Sequence, residues 1–382
     1  MINGKALEME IMENSFKHIL VVIPAWEPDE KMVSYVRELE QRGFENILLV
    51  DDGSTGESRG YFEILSGDSA VHVLHHEVNR GKGRSLRDGF EWCLKNMKDC
   101  RGVITADCDG QHSASDTEKM AKALILHPGE MILGTRKFDG KQVPWKSRFG
   151  NRITSFVFAV FCGKWLNDTQ TGLRGIDAGL LPELCKLPGD RYEYEIRMLI
   201  FAVHKKVKFH ELAIETIYLD DNRQSHFRPL QDSARIYGVI FGTFFKYLLS
   251  SLSASLIDLG IFSLLNIWLL KGCTLAENVA VSTISARIVS SLYNFSVNRK
   301  LVFRSRKNIG KAMAGYYLLA VIQMGCSAGL VYLLTKFTGQ KAVLVKIIVD
   351  VFLFMISYHI QRRIIFSTHQ ESKDHQDGKN DC

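Results

Sequence analysis

The chain has 382 residues, 46% of them hydrophobic and 24% charged, which excludes global disorder and leaves room for two or three domains. Its net charge of +6 is small and dispersed, whereas a nucleic-acid binder gathers basic charge on one element; no nucleic-acid partner is expected. A mean hydropathy of -0.02 is high for a soluble protein and low for a pure membrane protein, so a soluble part joined to a membrane part is expected.

Residues 1–17 are polar and acidic, lack the apolar stretch of a signal peptide, and read as an N-terminal extension. Short apolar runs follow, separated by Gly, Asp and Asn. Residues 18–25 read as a buried strand, followed by strands over 46–50, 70–74, 102–106 and 131–134. Between them, Met32, Val33, Val36 and Leu39 fall on one helical face ended by Gly43, and Leu86, Phe90, Leu94 and Met97 form another. Strands alternating with helices predict an α/β domain, a mainly parallel sheet covered on both faces. The eight cysteines show no C-x-x-C spacing, so neither a structural zinc nor a disulfide framework is expected.

Near residue 240 the apolar runs lengthen. Four stretches approach the roughly 20 residues that cross a bilayer: 247–270 with Asp258 inside it, 279–297 with Arg287, 312–334 with no charge, and 342–360 with Lys346, Asp350 and His359. They predict an all-α domain of four transmembrane helices over 247–366. A soluble helical bundle is the alternative. The loop after the second stretch carries Arg299, Lys300, Arg304, Arg306, Lys307 and Lys311, and the fourth ends in Arg362 and Arg363. The positive-inside rule then puts both termini and the α/β domain in the cytoplasm. Two aromatic segments, 149–165 (after Arg148) and 234–245, read either as core helices or as helices lying in the membrane interface; the second falls in a linking helix over 233–246. The tail, 367–382, reads as disordered. An intramembrane charge is costly, so Arg287 is expected to pair with Asp258 or Asp350.

Chemistry concentrates where strands end. Asp107-Cys108-Asp109-Gly110-Gln111-His112 directly follows the fourth strand. Two carboxylates one residue apart and a side-chain amide form a hard-oxygen set suited to Mg²⁺ or Mn²⁺. The competing reading is a turn whose acids cap the next helix. Asp51-Asp52-Gly53-Ser54 follows the second strand and Pro24-Ala25-Trp26 the first; Trp26 could stack on a base, and Asp51 or Asp52 could accept from base or ribose. Asn79-Arg80-Gly81-Lys82-Gly83 is a Gly-rich basic loop opening a helix, suited to anions. Such loops at the ends of one sheet mark a ligand site together more than any does alone.

The series IPAW, VDDGST, NRGKG, DCDGQH, GTR and NDTQTGLRG over residues 18–232 resembles glycosyltransferase family 2, within it the dolichyl- and polyprenyl-phosphate sugar synthases. Residues 243–366 resemble the GtrA-like four-helix membrane family, including its pattern at Asn294, Phe295, Asn298, Arg299, Val302 and Phe303. The resemblance implies a GT-A (Rossmann-like) catalytic domain, a nucleotide-sugar donor and a divalent cation. By motif, Asp107, Asp109 and Gln111 would hold metal and diphosphate, and Pro24, Ala25, Trp26, Asp51, Asp52, Lys82 and Cys108 would line the nucleotide-sugar site. Trp26-Glu27-Pro28 stands where the family often has Tyr-Asn-Glu, so guanine and uracil both stay open.

A polyprenyl phosphate acceptor is already ionised near neutral pH, its second pKa being about 6; it needs cations to bind and aim it rather than a general base. The resemblance suggests Arg136, Arg148, Asn151 and Arg174 for that phosphate, and Arg228 for the donor diphosphate. Glu193 and Glu195 would bind sugar hydroxyls or serve as helix N-terminal charges. The implied activity is inverting transfer of a hexose from GDP- or UDP-sugar to polyprenyl phosphate. A processive polysaccharide synthase would carry a Q-x-x-R-W motif, absent here; a lipid-linked sugar translocator with an inactive transferase domain would not need the intact acid pair. The polyprenol, the sugar and any homo-oligomeric assembly stay open.

Overall fold

The computed structural model describes residues 16–136, 145–215, 228–269 and 274–367, and the chain divides into two compact units, residues 1–240 and 241–382. The predicted extension, the tail beyond Ser367, and Ser225 to Phe227 lie outside the described residues.

The first unit is built on a seven-stranded sheet: β1 (Ile19–Ala25), β2 (Ile47–Asp51), β3 (Val71–His75), β4 (Gly102–Thr105), β5 (Met131–Arg136), β6 (Arg174–Asp177) and β7 (Phe209–Ile214), in the order β3-β2-β1-β4-β6-β5-β7. All neighbours run parallel except around β6, which pairs antiparallel with β4 and β5. The seven residues of β1 are buried throughout, and the strand alternation divides them between two cores. Ile19, Val21 and Ile23 face one; Leu20 and Val22 face the other. Each fully buried aliphatic side chain contributes about 1.5–3 kcal/mol, so a strand buried on both faces is a fixed reference for the loops at its ends.

Helices α1 (Glu30–Gln41), α2 (Gly56–Leu65), α3 (Lys82–Asn96), α4 (Ala114–Leu126), α5 (Trp145–Cys162) and α6 (Glu193–His204) cover the sheet. In α1 the buried stripe is Met32, Tyr35, Val36 and Leu39, and Asp29 caps its start by accepting from the Lys31 N–H at 3.0 Å. In α3 the buried face is Leu86, Phe90 and Cys93; Leu94, expected on that face, is 44% exposed. Gly89 lets α3 close on β1, because a Cβ there would come within 2.6 Å of Val22. On α5, Phe149, Ile153 and Phe156 are exposed, while Thr154 meets Tyr237 hydroxyl to hydroxyl at 3.1 Å.

The expected linking segment is continuous with the first apolar helix: α7 runs unbroken over Pro229–Leu264. Residues 233–247 contain no proline, and the helix runs through Gly238 and Gly242 without a break. The second unit continues with α8 (Leu275–Val297), α9 (Ile309–Thr338) and α10 (Ala342–Ile360). Among the described residues, three helical stretches are long and apolar enough to cross a membrane, Gln231–Leu269, Ile309–Thr338 and Ala342–Ile365. Helix α8 is not among them, since Ser282, Thr283, Ser285, Arg287, Ser290 and Ser291 dilute its apolar residues.

Those polar groups face partners within the unit. Ser290 donates to Asp258 Oδ1 at 2.8 Å, and Arg287 Nη2 lies 3.6 Å from Asp258 Oδ2. The expected Arg287 pairing is therefore with Asp258; Asp350 instead meets Lys346 at 2.9 Å and Ser327 at 2.6 Å. The Asn294-to-Phe303 pattern forms a hub. Asn294 bonds Ser250 at 2.9 Å and Tyr316 at 3.1 Å, Asn298 donates to Gln361 at 3.3 Å, and Phe303 stacks on Phe366 at 5.3 Å. Outward, Leu252, Leu256, Ile284, Ile288, Ile347 and Ile348 are exposed, the surface that lipid accepts and water does not.

Candidate active site

The strand order reverses direction between β1 and β4, and a crevice at such a switch point, beyond the carboxyl ends of the strands, is the ligand site of open α/β sheets. A cleft of about 420 Å³ opens there. Pro24, Ala25 and Trp26 enter it from β1, Asp52 from β2, Asn79, Gly81, Lys82 and Ser85 from the start of α3, and Asp107, Cys108 and Asp109 from β4. Arg191, Tyr192, Arg228, Gln231, Asp232 and Arg235 close the far side.

The Gly-rich loop is held from below. Asp52 accepts from the backbone N–H groups of Arg80 and Gly81, both at 2.8 Å. Gly81 sits at φ 99°, where a side chain is strained, and a Cβ there would strike the Asp190 carbonyl. His76, 5% exposed at its side chain, bridges Asp52 at 2.8 Å and Asp88 at 3.0 Å. Its hydrogen bonds to Asp52 and then Asp88 push its pKa up to about 9. Asp51 is 2% exposed and is spent on the Ser54 N–H and on His75.

Lys82 opens α3 with its Nζ 2.6 Å from Asp107 Oδ1 and 3.2 Å from Glu195 Oε2. Burial disfavours its charge, but the two carboxylates more than reverse this and hold the ammonium above its ordinary range. Burial likewise acts to raise Asp107, and Lys82 and His112 outweigh it, leaving that carboxyl far below the usual range. Asp109 moves the other way, raised by burial and by the neighbouring Asp107 charge. The acid pair is thus two carboxylates in one polar cleft, one neutralised by Lys82 and one still crowded. His112 is 7% exposed with both ring nitrogens lacking a hydrogen-bond partner, its Nε2 3.5 Å from Asp107. Hard oxygens crowded by like charge, with an unsatisfied imidazole behind them, fit a divalent cation held by Asp107 and Asp109. The Gln111 N–H donates to Asp109 Oδ1 at 3.0 Å.

Backing the pair is the 167–173 segment. Thr105 donates to the Gly172 carbonyl at 2.7 Å, and a Cβ at Gly172 would run into the Asp107 carboxylate. Within this segment Asp168, its side chain wholly buried, takes Arg136 in a two-pronged clasp, Nε to Oδ2 at 2.6 Å and Nη2 to Oδ1 at 3.0 Å.

Several expected residues do not stand on the cleft wall. Among the described residues that wall omits Asp51, Gln111, Arg136, Arg148, Asn151 and Arg174. Arg174, expected at an acceptor phosphate, is 1% exposed and donates to the carbonyls of Thr171, Glu195 and Thr169; its desolvated guanidinium is a tie inside the domain. Asn151 is 3% exposed and donates to the Asn167 carbonyl at 2.7 Å. Arg148 is exposed on α5. Glu195, one of two acids open to either role, supports Lys82, whereas Glu193 accepts from the Asp190 N–H at 3.3 Å at the start of α6. Sequence reasoning missed Asp168, His76, Asp88, Arg191, Tyr192 and Arg235. Asp168 was visible inside the NDTQTGLRG motif; the others carry no spacing signal.

Comparison with known proteins places these features. Residues 21–181 match the description Glycosyl transferase family 2, and residues 246–366 match GtrA/DPMS, transmembrane domain. An uncharacterized protein of Methanocaldococcus jannaschii is 31% identical over 220 residues, covering 56% of this chain and 88% of the relative. A UDP-N-acetylglucosamine–dolichyl-phosphate N-acetylglucosaminyltransferase of Methanococcus voltae is 28% identical, covering 53% and 87%. A dolichyl-phosphate beta-glucosyltransferase of Saccharomyces cerevisiae is 23% identical, covering 54% and 68%. Among solved structures, a glucosyl-3-phosphoglycerate synthase of Mycobacterium tuberculosis matches with a TM-score of 0.46 at 16% identity, covering 60% of this chain and 82% of that one. The chain belongs to glycosyl transferase family 2 and is a membrane glycosyltransferase whose second unit is of the GtrA/DPMS type.

Proposed function

We propose that the chain moves a hexose, mannose or glucose, from a GDP- or UDP-sugar onto a polyprenyl phosphate, undecaprenyl or dolichyl, with inversion at the anomeric carbon. One observation carries this reading: at the β1/β4 switch point the acid pair, Lys82 and three arginines converge on one cleft, in a chain that brings its own membrane helices. The relatives named as dolichyl-phosphate transferases support it.

The acceptor phosphate oxygen attacks the anomeric carbon from the face opposite the diphosphate. The carbon–oxygen bond to the diphosphate breaks, and the nucleoside diphosphate leaves with the electron pair. No proton has to be removed, because the acceptor phosphate ionises with a second pKa of about 6. The protein must therefore bind, orient and neutralise. Asp107 and Asp109, with Gln111 behind them, would hold Mg²⁺ or Mn²⁺, which neutralises charge developing on the diphosphate. Pro24, Ala25 and Trp26 would receive the nucleoside, with Asp52 setting the loop beside it. Lys82 balances Asp107 and sits within reach of a phosphate oxygen. Arg228 and Arg191 are suited to the donor diphosphate. Arg136, fixed by Asp168, and Arg148 with Asn151 remain the candidates for the acceptor phosphate, and the exposed apolar face of α5 would rest on the bilayer surface. With α8 counted as a fourth span, its polar residues satisfied inside the unit, both termini and the catalytic domain would be cytoplasmic.

A second role is favoured by a cavity of about 600 Å³ inside the helical unit, lined by Ser290, Asn294, Tyr316, Gln361 and the Asp258–Arg287 pair. Such a lining suits a sugar headgroup, and the unit would then also carry the lipid-linked product across.

The test is incubation of the purified protein with a panel of nucleotide sugars, Mg²⁺ or Mn²⁺ and polyprenyl phosphate, with products identified by mass spectrometry. A lipid-linked sugar monophosphate is expected, abolished by EDTA and reduced ~100- to 1000-fold by Asp109→Ala. Sugar transfer surviving Asp109→Ala, or no transfer to any polyprenyl phosphate, would overturn the reading.

A further inference from the structure

The far edge of the same sheet carries a second cluster of metal-type ligands. Helix α4 stops at Leu126, and its C-cap residue His127 leaves the helical region at φ -123°, ψ 65°. The turn that follows passes through Gly129 at φ 78° and is anchored by its N–H to Asp177 Oδ2 at 2.7 Å. It delivers Glu130 to the start of β5. Strand β7 runs beside β5 with His210 in register with Ile132. The result is one corner where His127, Glu130 and His210 meet.

Their geometry is specific. The two imidazole rings stack with centroids 4.1 Å apart and 25° between planes. His127 Nδ1 lies 3.7 Å from Glu130 Oε2, too long for a hydrogen bond. One ligand atom from each residue lies within 4.8 Å of the other two. All three side chains are partly buried, held by three different elements. Lys208, its side chain 82% exposed, places its Nζ 3.9 Å from Glu130 Oε1.

The transferase reading makes no use of this corner. β5 and β7 are parallel to β1 and β4 in the sheet, so the beginnings of the former lie at the opposite edge from the carboxyl ends that bear the acid pair. The donor chemistry differs too. Carboxylates and amide oxygens suit Mg²⁺ or Mn²⁺, whereas two imidazoles and one carboxylate suit zinc and its borderline neighbours.

We propose that His127, Glu130 and His210 form a zinc-class divalent metal site that ties the α4–β5 turn to edge strand β7. Zinc bonds of about 2.0–2.2 Å bring ligand atoms within ~3.5 Å of one another, a closure of about 1 Å that rotation of partly exposed side chains supplies. A water would complete the fourth position. The bound ion would add a metal cross-link to the strand pairing, the ring stack and the Lys208–Glu130 contact that already join the turn to β7.

The test uses metal-stripped, detergent-solubilised full-length protein kept in excess Mg²⁺, with Co²⁺ as the spectroscopic probe and Zn²⁺ as competitor. One equivalent of cobalt with a visible ligand-field band, displaced by zinc, is expected. His127→Ala and His210→Ala should weaken binding by more than the ~100-fold that loss of a supporting partner can cost, while Asp109→Ala leaves it intact. His210→Phe keeps the ring stack and removes the donors. It should unfold at the metal-free wild-type temperature and, unlike wild type, gain nothing from zinc. A wild type that takes up no cobalt at tenfold excess, or His210→Phe and His127→Ala proteins that bind as tightly as wild type, would overturn the proposal. Uptake lost with Asp109→Ala instead would place the ion at the acid pair and overturn it equally.

Discussion

The acid pair works only if its neighbours leave it room, and Gly172 is where that room is set. A Cβ at that position would meet the Asp107 carboxylate, and the carbonyl of the same residue is pinned by Thr105. The backbone cannot retreat, so Gly172→Ala must turn the carboxylate away from Lys82 and from any cation. Displacing a reacting group by about 1 Å costs ~100-fold in rate. We expect turnover to fall by at least that much, and the thermal transition of the first unit to fall with it, because the largely buried Lys82–Asp107 pair is broken. A variant with wild-type turnover would show that Asp107 is free to sit elsewhere. The acid pair was legible in the sequence because two acids follow an apolar strand directly. Asp168 lay inside a legible motif, NDTQTGLRG, but its task of holding Arg136 was not legible, because a carboxylate with that task looks in sequence like any polar loop residue. Arg174 misled for the converse reason: a guanidinium bound to backbone carbonyls has the same letter as one that binds a phosphate.

At the level of elements, the first five strands were readable because each is a short run dominated by apolar residues, and β2, β4 and β5 are cut off by Asp or Gly. β6 and β7 were not. β6 is four residues, Arg174–Asp177, bounded by charges that are spent on backbone groups, Arg174 on the carbonyls of Thr171, Glu195 and Thr169 and Asp177 on the N–H groups of Gly129 and Gly179, and β7 is a half-exposed edge strand with His210 and Glu211 in it. Helix α3 shows how an element carries chemistry from one end. Its N-terminus presents Lys82, and the loop before it is shaped by Asp52, whose grip depends on His76. That histidine's pKa is raised from 6.5 to about 9 by Asp52 and then Asp88. A raised folded-state value means that the stabilisation is full below pH 6.5 and is lost as pH rises through about 9. Thermal stability of the first unit and nucleotide affinity should therefore decline together across that window. His76→Gln should lower both at pH 6.5 and flatten the decline. Parallel profiles for wild type and variant would show that the loop does not depend on the charged imidazole.

For the molecule as a whole, the sequence divides near residue 240 because the two units solve burial differently. The first hides its apolar residues in two cores; the second leaves Leu256, Ile288 and Ile348 outward and turns polar groups inward. This inversion is why α8 escaped a hydropathy criterion. Its serines and Arg287 cost little once Asp258, Asn278 and Tyr317 answer them. The pairing can be tested through biogenesis. Arg287→Gln leaves Asp258 with Ser290 but without a cation, and an uncompensated charge within an apolar helix is costly. A loss of 1–2 kcal/mol changes abundance about several-fold, so the membrane yield of folded Arg287→Gln protein should drop by that order. Removing the second charge should recover it: the Asp258→Asn, Arg287→Gln double variant is expected to accumulate more than the single one, since a neutral amide can still accept from Ser290. Equal yields for wild type and Arg287→Gln would mean that the pair lies where water reaches it and that the helical unit is held together by its Asn294–Tyr316 and Asn298–Gln361 contacts instead.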